Sequence, residues 1–137
     1  MRVLLSGVFD IFHYGHMLLI QKCQKLYPDA TLIIGVHPDE ECIRFKRKPI
    51  FSLQERIKTL RIFSPTSIVL ECPLLETKKF YKQHRIDITI HAHSRKDNDY
   101  YIKNCYREAH EMRILKRLDY TSSISTTDII NRIKKSP

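Results

Sequence analysis

Two histidines three residues apart, His13 and His16, stand in the run Gly7-Val8-Phe9-Asp10-Ile11-Phe12-His13-Tyr14-Gly15-His16, between a short apolar stretch and an amphipathic one. Where a strand turns directly into a helix, the helix start presents unpaired backbone N–H groups and the positive end of its dipole, which favours a phosphate. Imidazoles flanking that point can donate hydrogen bonds to oxygens that gain charge as a phosphoanhydride breaks. Gly7 and Gly15 are two of only three glycines in the chain, and they fall where a ligand would need close approach to the backbone. Asp10 in the same loop suits hydrogen bonding to loop amides. The histidines, joined by His91 and His93, could instead ligate zinc. No cysteine or carboxylate stands at ligand spacing, and glycine at a strand-to-helix turn suits phosphate better. A second polar group, Ser125-Thr126-Thr127-Asp128, has the pattern of a helix N-cap. Lys46 lies in the basic stretch Arg44-Phe45-Lys46-Arg47-Lys48 before Pro49, which reads as an exposed loop.

These residues need a frame. Val3-Leu4-Leu5 is a β-type run, and Met17, Leu18, Ile20 and Cys23 recur at helical spacing. Strands are predicted at 2–6, 31–37, 67–71, 87–91 and 112–116, and helices at 15–27, 52–63, 76–84, 98–110 and from about Ser125. Ser52 with Glu55 forms a capping box that fixes one helix start. The alternation implies an α/β fold: one domain over residues 1–137, a Rossmann-like, doubly wound, five-stranded parallel sheet. Ligands of such sheets bind beyond the carboxyl ends of the strands. Residues 7–16, the loop after Val36, His91 and the Ser125 helix start all fall on that edge.

Composition narrows the partners. A chain of 137 residues supports one ordinary core. No segment approaches the ~20 apolar residues of a membrane span, and Met1-Arg2 leads straight into a strand without a signal-peptide pattern. A cytoplasmic location is expected. Cys23, Cys42, Cys72 and Cys105 are dispersed with no CxxC pair, so they are expected as reduced thiols. The net charge of +9, from 24 basic and 15 acidic residues, favours an anionic partner. Without an aromatic platform interleaved among the basic residues, nucleic acid is not the expected one.

His13-Tyr14-Gly15-His16 after a strand resembles the HxGH nucleotidyltransferase signature, and Ile124-Ser125-Thr126-Thr127-Asp128-Ile129-Ile130 resembles the segment that closes the same site in cytidylyltransferases. Phe45-Lys46 before Gln54-Glu55-Arg56 is similar to choline-phosphate and ethanolamine-phosphate cytidylyltransferases, and Leu26-Tyr27-Pro28 and Gln83-His84-Arg85-Ile86-Asp87 through His91 look most like the choline-phosphate enzymes. The similarity runs from residue 2 to about 133. It implies CMP transfer from CTP to phosphocholine, with pyrophosphate released and magnesium arriving with the nucleotide. By resemblance, His13, His16 and Lys46 are catalytic. Gly7, Val8, Phe9, Asp10, Gly15, Ser125, Thr126 and Thr127 bind the nucleotide, and His91 and Tyr106 the acceptor. No protein-held metal is expected.

Several positions depart from the pattern. Ser6, Leu74 and Ala92 replace two carboxylates and an aromatic that would cage a cation, and Tyr120 stands where an arginine would open the second motif. These changes leave phosphoethanolamine or another small alcohol phosphate as alternative acceptors. They also motivate a reading of another class, a nucleotide-binding protein that has lost catalysis. Ser123 and Arg47 replace glycines, and Arg61-Ile62-Phe63-Ser64-Pro65 departs from the family's dimer segment, so a homodimer is possible rather than required. No membrane-binding tail is expected.

Overall fold

A computed structural model describes residues 1–93, 95–119 and 123–137. The β-type runs form five parallel strands, β1 (Arg2–Gly7), β2 (Thr31–Val36), β3 (Ile68–Glu71), β4 (Ile88–His91) and β5 (Leu115–Arg117), in the order β3-β2-β1-β4-β5. Leu4 pairs with Ile33 on one side and Thr89 on the other, which sets the register at the sheet centre. The chain winds outward from β1 to β3 and then returns to β4 on the other side of β1. This reversal opens a crevice at the carboxyl ends of β1 and β4, where doubly wound sheets place their ligands.

Side chains alternate across the strands, and both faces are covered. Val3, Leu5, Ile34 and Val36 pack with Ile20 and Cys23 of α1 (Tyr14–Leu26) and with Ile57 and Leu60 of α3 (Leu53–Phe63). On the other face Leu4 and Ile33 meet Phe80 and Tyr81 of α4 (Lys78–Gln83) and Ala109 of α6 (Arg107–Glu111). The Ser52–Glu55 capping box is complete in both directions. In α7 (Thr126–Lys135) the Ser125 hydroxyl accepts from the Asp128 N–H. No helix among the described residues is long and apolar enough to cross a membrane.

Three predicted elements differ. The 98–110 helix is two, α5 (Asn98–Asn104) and α6, because the chain breaks at Cys105 and Tyr106 to bury both side chains in the core. β5 begins at Leu115 rather than 112, since Arg113 sits at φ 61° and Ile114 still donates to the Ala109 carbonyl as the chain leaves α6. The 76–84 helix starts later, where the Thr77 hydroxyl accepts from the Phe80 N–H, and leaves Glu76 outside. One helix escaped the sequence reading, α2 (Asp39–Phe45). Its signal is Pro38 followed by Asp39, Glu40 and Glu41, a proline and acids at a helix N-terminus.

Candidate active site

The crevice is a cleft of about 450 Å³. Gly7, Val8, Phe9, Asp10, His16, Lys46, Ser125, Thr126, Thr127 and Tyr106 all line it. Segments more than a hundred residues apart in sequence therefore share one cavity. Tyr120 lies outside the described residues.

The loop after β1 is strained: Phe9 and Ile11 sit at φ 55° and 45°, a left-handed region that a β-branched residue such as isoleucine rarely adopts. It is held from three directions. Both carboxylate oxygens of Asp10 accept backbone N–H groups, from Ile50 at 2.7 Å and Phe51 at 2.9 Å, and its carbonyl accepts from the Thr126 hydroxyl at 2.9 Å. Asp10 thus anchors the segment after Lys46 and the start of α7 to the same loop. Its carboxylate thus takes the loop-ordering role expected of it, in hydrogen bonds to backbone amides, and the residue lines the cleft as well. Arg56, 1% exposed, donates to the Val8 and His37 carbonyls at 2.9 Å each and to Phe51 O at 3.1 Å, and pairs with Asp39. Sequence reasoning placed Arg56 only at a helix start. It is a buried clamp for the cleft's walls.

His13 is the N-cap of α1. Its Nδ1 accepts from the Gly15 N–H at 3.1 Å, and the His16 Nδ1 accepts from the His13 N–H at 3.3 Å, a reciprocal box built from two imidazoles. With both Nδ1 atoms accepting, the Nε2 atoms carry the ring protons. The rings stack at 3.8 Å. Burial holds the His16 imidazole down at about 3, with His13 beside it adding to the effect, and burial also lowers His13. Both are therefore neutral N–H donors at physiological pH, not cations. The His13 Nε2 is buried with no partner among the described residues, an unmet donor, and His13, unlike His16, is not among the residues that line the cleft.

Gly15 does not line the cleft. A Cβ there would lie 2.8 Å from His13 Cε1 and 3.2 Å from Ile124 Cγ2, so the close approach it permits is to the histidine ring and to the segment before α7. At Gly7 the neighbour is likewise a side chain, the Phe9 ring at 3.1 Å. The expectation that close approach serves a ligand is corrected at Gly15 alone, since Gly7 does line the cleft.

Lys46 is exposed at the cleft mouth after α2, and beside it Arg47 donates to the Thr127 hydroxyl at 3.1 Å. With Ser125 capping Asp128, the N–H groups of Thr126 and Thr127 at the first turn of α7 have no intrahelical partner. At the opposite end His93 stacks flat on Tyr101 with centroids 3.4 Å apart, and both line the cleft with Tyr106, Leu74 and Ala92. His91, expected to contact the acceptor, is 1% exposed and lies behind His93 and Tyr106, with ring centroids at 5.3 and 4.8 Å. It supports that wall rather than lining it. Burial holds His91 and His93 at about 4.

The family described as cytidylyltransferase-like matches over residues 4–132. The chain is 32% identical over 136 residues to the choline-phosphate cytidylyltransferase of Saccharomyces cerevisiae, covering 96% of this chain and 31% of that one. Choline-phosphate cytidylyltransferase 2 of Arabidopsis thaliana is also 32% identical, with 98% and 45% covered. The ethanolamine-phosphate cytidylyltransferase of Mus musculus is 29% identical, with 98% and 34% covered. The chain thus spans between about a third and a half of the length of these relatives. A lipopolysaccharide core biosynthesis protein from Thermoplasma volcanium shares the fold with a TM-score of 0.67 at 21% identity, over 89% of this chain and 98% of that one.

Proposed function

Because the chain belongs to the cytidylyltransferase-like family, we propose that it transfers CMP from CTP to a small phosphorylated amino alcohol, phosphocholine before phosphoethanolamine, releasing pyrophosphate. The observation that carries this reading is the convergence of His16, Lys46 and the start of α7 on one cleft at the sheet's reversal point.

In the proposed reaction a phosphate oxygen of the acceptor attacks the α-phosphorus of CTP in line, and the bond to the β-phosphate oxygen breaks. The acceptor is already an anion near neutral pH, so the protein supplies position and charge stabilisation rather than a base. The Nε2–H groups of His13 and His16 donate to the α-phosphate and the bridging oxygen, and their neutrality keeps both protons in place. Lys46 draws the two anionic substrates together. The free N–H groups of Thr126 and Thr127, with their hydroxyls and Arg47, receive the leaving pyrophosphate. Magnesium would accompany the triphosphate. Among the described residues no three His, Cys, Asp or Glu side chains stand together to hold a metal, and Asp10 is committed elsewhere. In this reading magnesium enters as part of the substrate.

The test is pyrophosphate release from CTP with phosphocholine, phosphoethanolamine and glycerol 3-phosphate. Turnover with phosphocholine at the highest kcat/KM is expected. CTP binding with no release from any acceptor would overturn the reading in favour of a nucleotide-binding protein without catalysis.

A further inference from the structure

Glu76, just before α4, has no place in the mechanism above, yet it is among the most deeply buried side chains of the protein at 1% exposure. Three hydroxyls from three different elements converge on its carboxylate. Ser6 of β1 donates to Oε1, and Tyr81 of α4 and Thr89 of β4 donate to Oε2 at 2.7 and 2.9 Å. No lysine, arginine or histidine lies within ion-pair distance of it among the described residues. All three hydroxyls are placed to donate to an ionised carboxylate, whose oxygens can only accept. A buried carboxylate without a cation is costly. Burial pushes its affinity for a proton up, against the pull of the three hydroxyls.

The carboxylate lies one layer behind the wall of the cleft. Ser6, which holds Oε1, lines the cleft, and so do Cys105, whose carbonyl accepts the Glu76 N–H at 3.2 Å, and Tyr106, which interacts with the Ser6 hydroxyl. On the cleft side of this partition stand Leu74, Ala92, His93 and Tyr101. Two other carboxylates border this end: Glu41, which accepts from the Leu74 N–H at 2.6 Å, and Asp97. Glu76 differs from both in being sealed from water, where its field is least screened. Ser6 presents at the cleft wall a hydroxyl that is hydrogen-bonded to the Glu76 carboxylate behind it.

Resting on the proposed function, we infer that Glu76 is a specificity-determining residue: its buried charge, relayed through Ser6, selects acceptors whose head group is cationic. The ammonium sits over Ser6 and Tyr106 against the His93–Tyr101 stack and becomes the counter-ion that the fold itself withholds. Glu76 touches neither substrate nor reacting atoms, so its effect falls on acceptor affinity.

The experiment compares phosphocholine with its uncharged carbon analogue, 3,3-dimethylbutyl phosphate, in the pyrophosphate-release assay. For the wild type, KM for phosphocholine is expected about tenfold lower than for the analogue. Glu76→Gln, which keeps the shape, should raise KM for phosphocholine about tenfold while moving that of the analogue less than about twofold. Ser6→Asp added to Glu76→Gln, which returns a charge to the same wall, should restore the preference. A wild type that does not distinguish the two acceptors overturns the proposal whether or not Glu76→Gln folds. So does a Glu76→Gln variant that loses both activities equally, the mark of a merely structural role. In those cases activity with CTP persists and the proposed function stands. Wild-type inactivity with every acceptor would remove both.

Discussion

Replacing Gly15 by alanine should separate stability from activity. In an ordinary helix this change is favourable by roughly 0.5–1 kcal/mol. Here the new Cβ would stand 2.8 Å from His13 Cε1, 3.0 Å from its Nδ1 and 3.2 Å from Ile124 Cγ2, so the imidazole must leave its place. The Nδ1 cap on the Gly15 N–H goes with it, at about 1 kcal/mol, and an off-rotamer ring adds roughly 0.5–1.5 kcal/mol. Set against the helix gain, the net loss is about 1 kcal/mol. For 137 residues that lowers Tm by about 3–4 °C. Activity should respond far more. His13 and His16 hold each other in a reciprocal box, so displacing one ring misplaces two donors, and removal of even one such donor costs about 10²-fold or more in turnover. Pyrophosphate release and thermal denaturation on the same preparation read both effects. A Gly15→Ala protein with full turnover and a raised Tm would refute the argument that the glycine exists to seat His13.

Other consequences follow from the same contacts. His16, His91 and His93 are held at about 3, 4 and 4, below the unfolded value near 6.5. Protons therefore bind preferentially to the unfolded chain, and stability present above pH 6.5 should be lost as pH falls toward 4, by up to about 1.4 kcal/mol per pH unit per histidine. Urea denaturation across pH 4 to 7 checks it, and a flat profile would contradict it. Arg56→Met leaves the Val8 and His37 carbonyls and Asp39 without their donor, so we expect a loss of about 3–5 kcal/mol, seen as a fall in urea midpoint. Asp10→Asn turns one of two accepting oxygens toward an N–H as a donor, loosening the segment that carries Lys46. KM for CTP should rise about tenfold at a cost of about 1–3 kcal/mol, and an unchanged KM would argue that Asp10 does not set that loop.

What the sequence made legible follows from locality. β1 to β4 were readable because runs such as Leu32-Ile33-Ile34 are apolar on both faces, as a doubly covered parallel sheet demands. Ser52 with Glu55 was readable because a capping box lies within four residues. The end of the cleft at His16 and α7 shares this property: HxGH and the Ser125 segment each cap their own helix internally, whereas the bonds of Thr126 to Asp10 and of Arg47 to Thr127 are tertiary. Tyr106 and Cys105 were unreadable as a break, because helical spacing continues through them and only the core beneath β1 and β2 draws them inward.

The end of the cleft at Ser6 and His93 reverses the balance. Glu76 in sequence is an acid near the start of an amphipathic helix, and such residues are almost always solvated. Its burial depends on Ser6, Tyr81 and Thr89, which are 70, 5 and 13 residues away, and no local rule links them. Reading position 6 alone suggests that a charge has been lost there. The fold shows a hydroxyl at that position bonded to a carboxylate from another element, so charge at this wall depends on a contact and not on the residue that lines it. Substrate preference in this chain therefore cannot be judged from the lining residues one by one. Ser6 and Glu76 must be exchanged together, and the double variant carrying Ser6→Asp with Glu76→Gln makes that exchange.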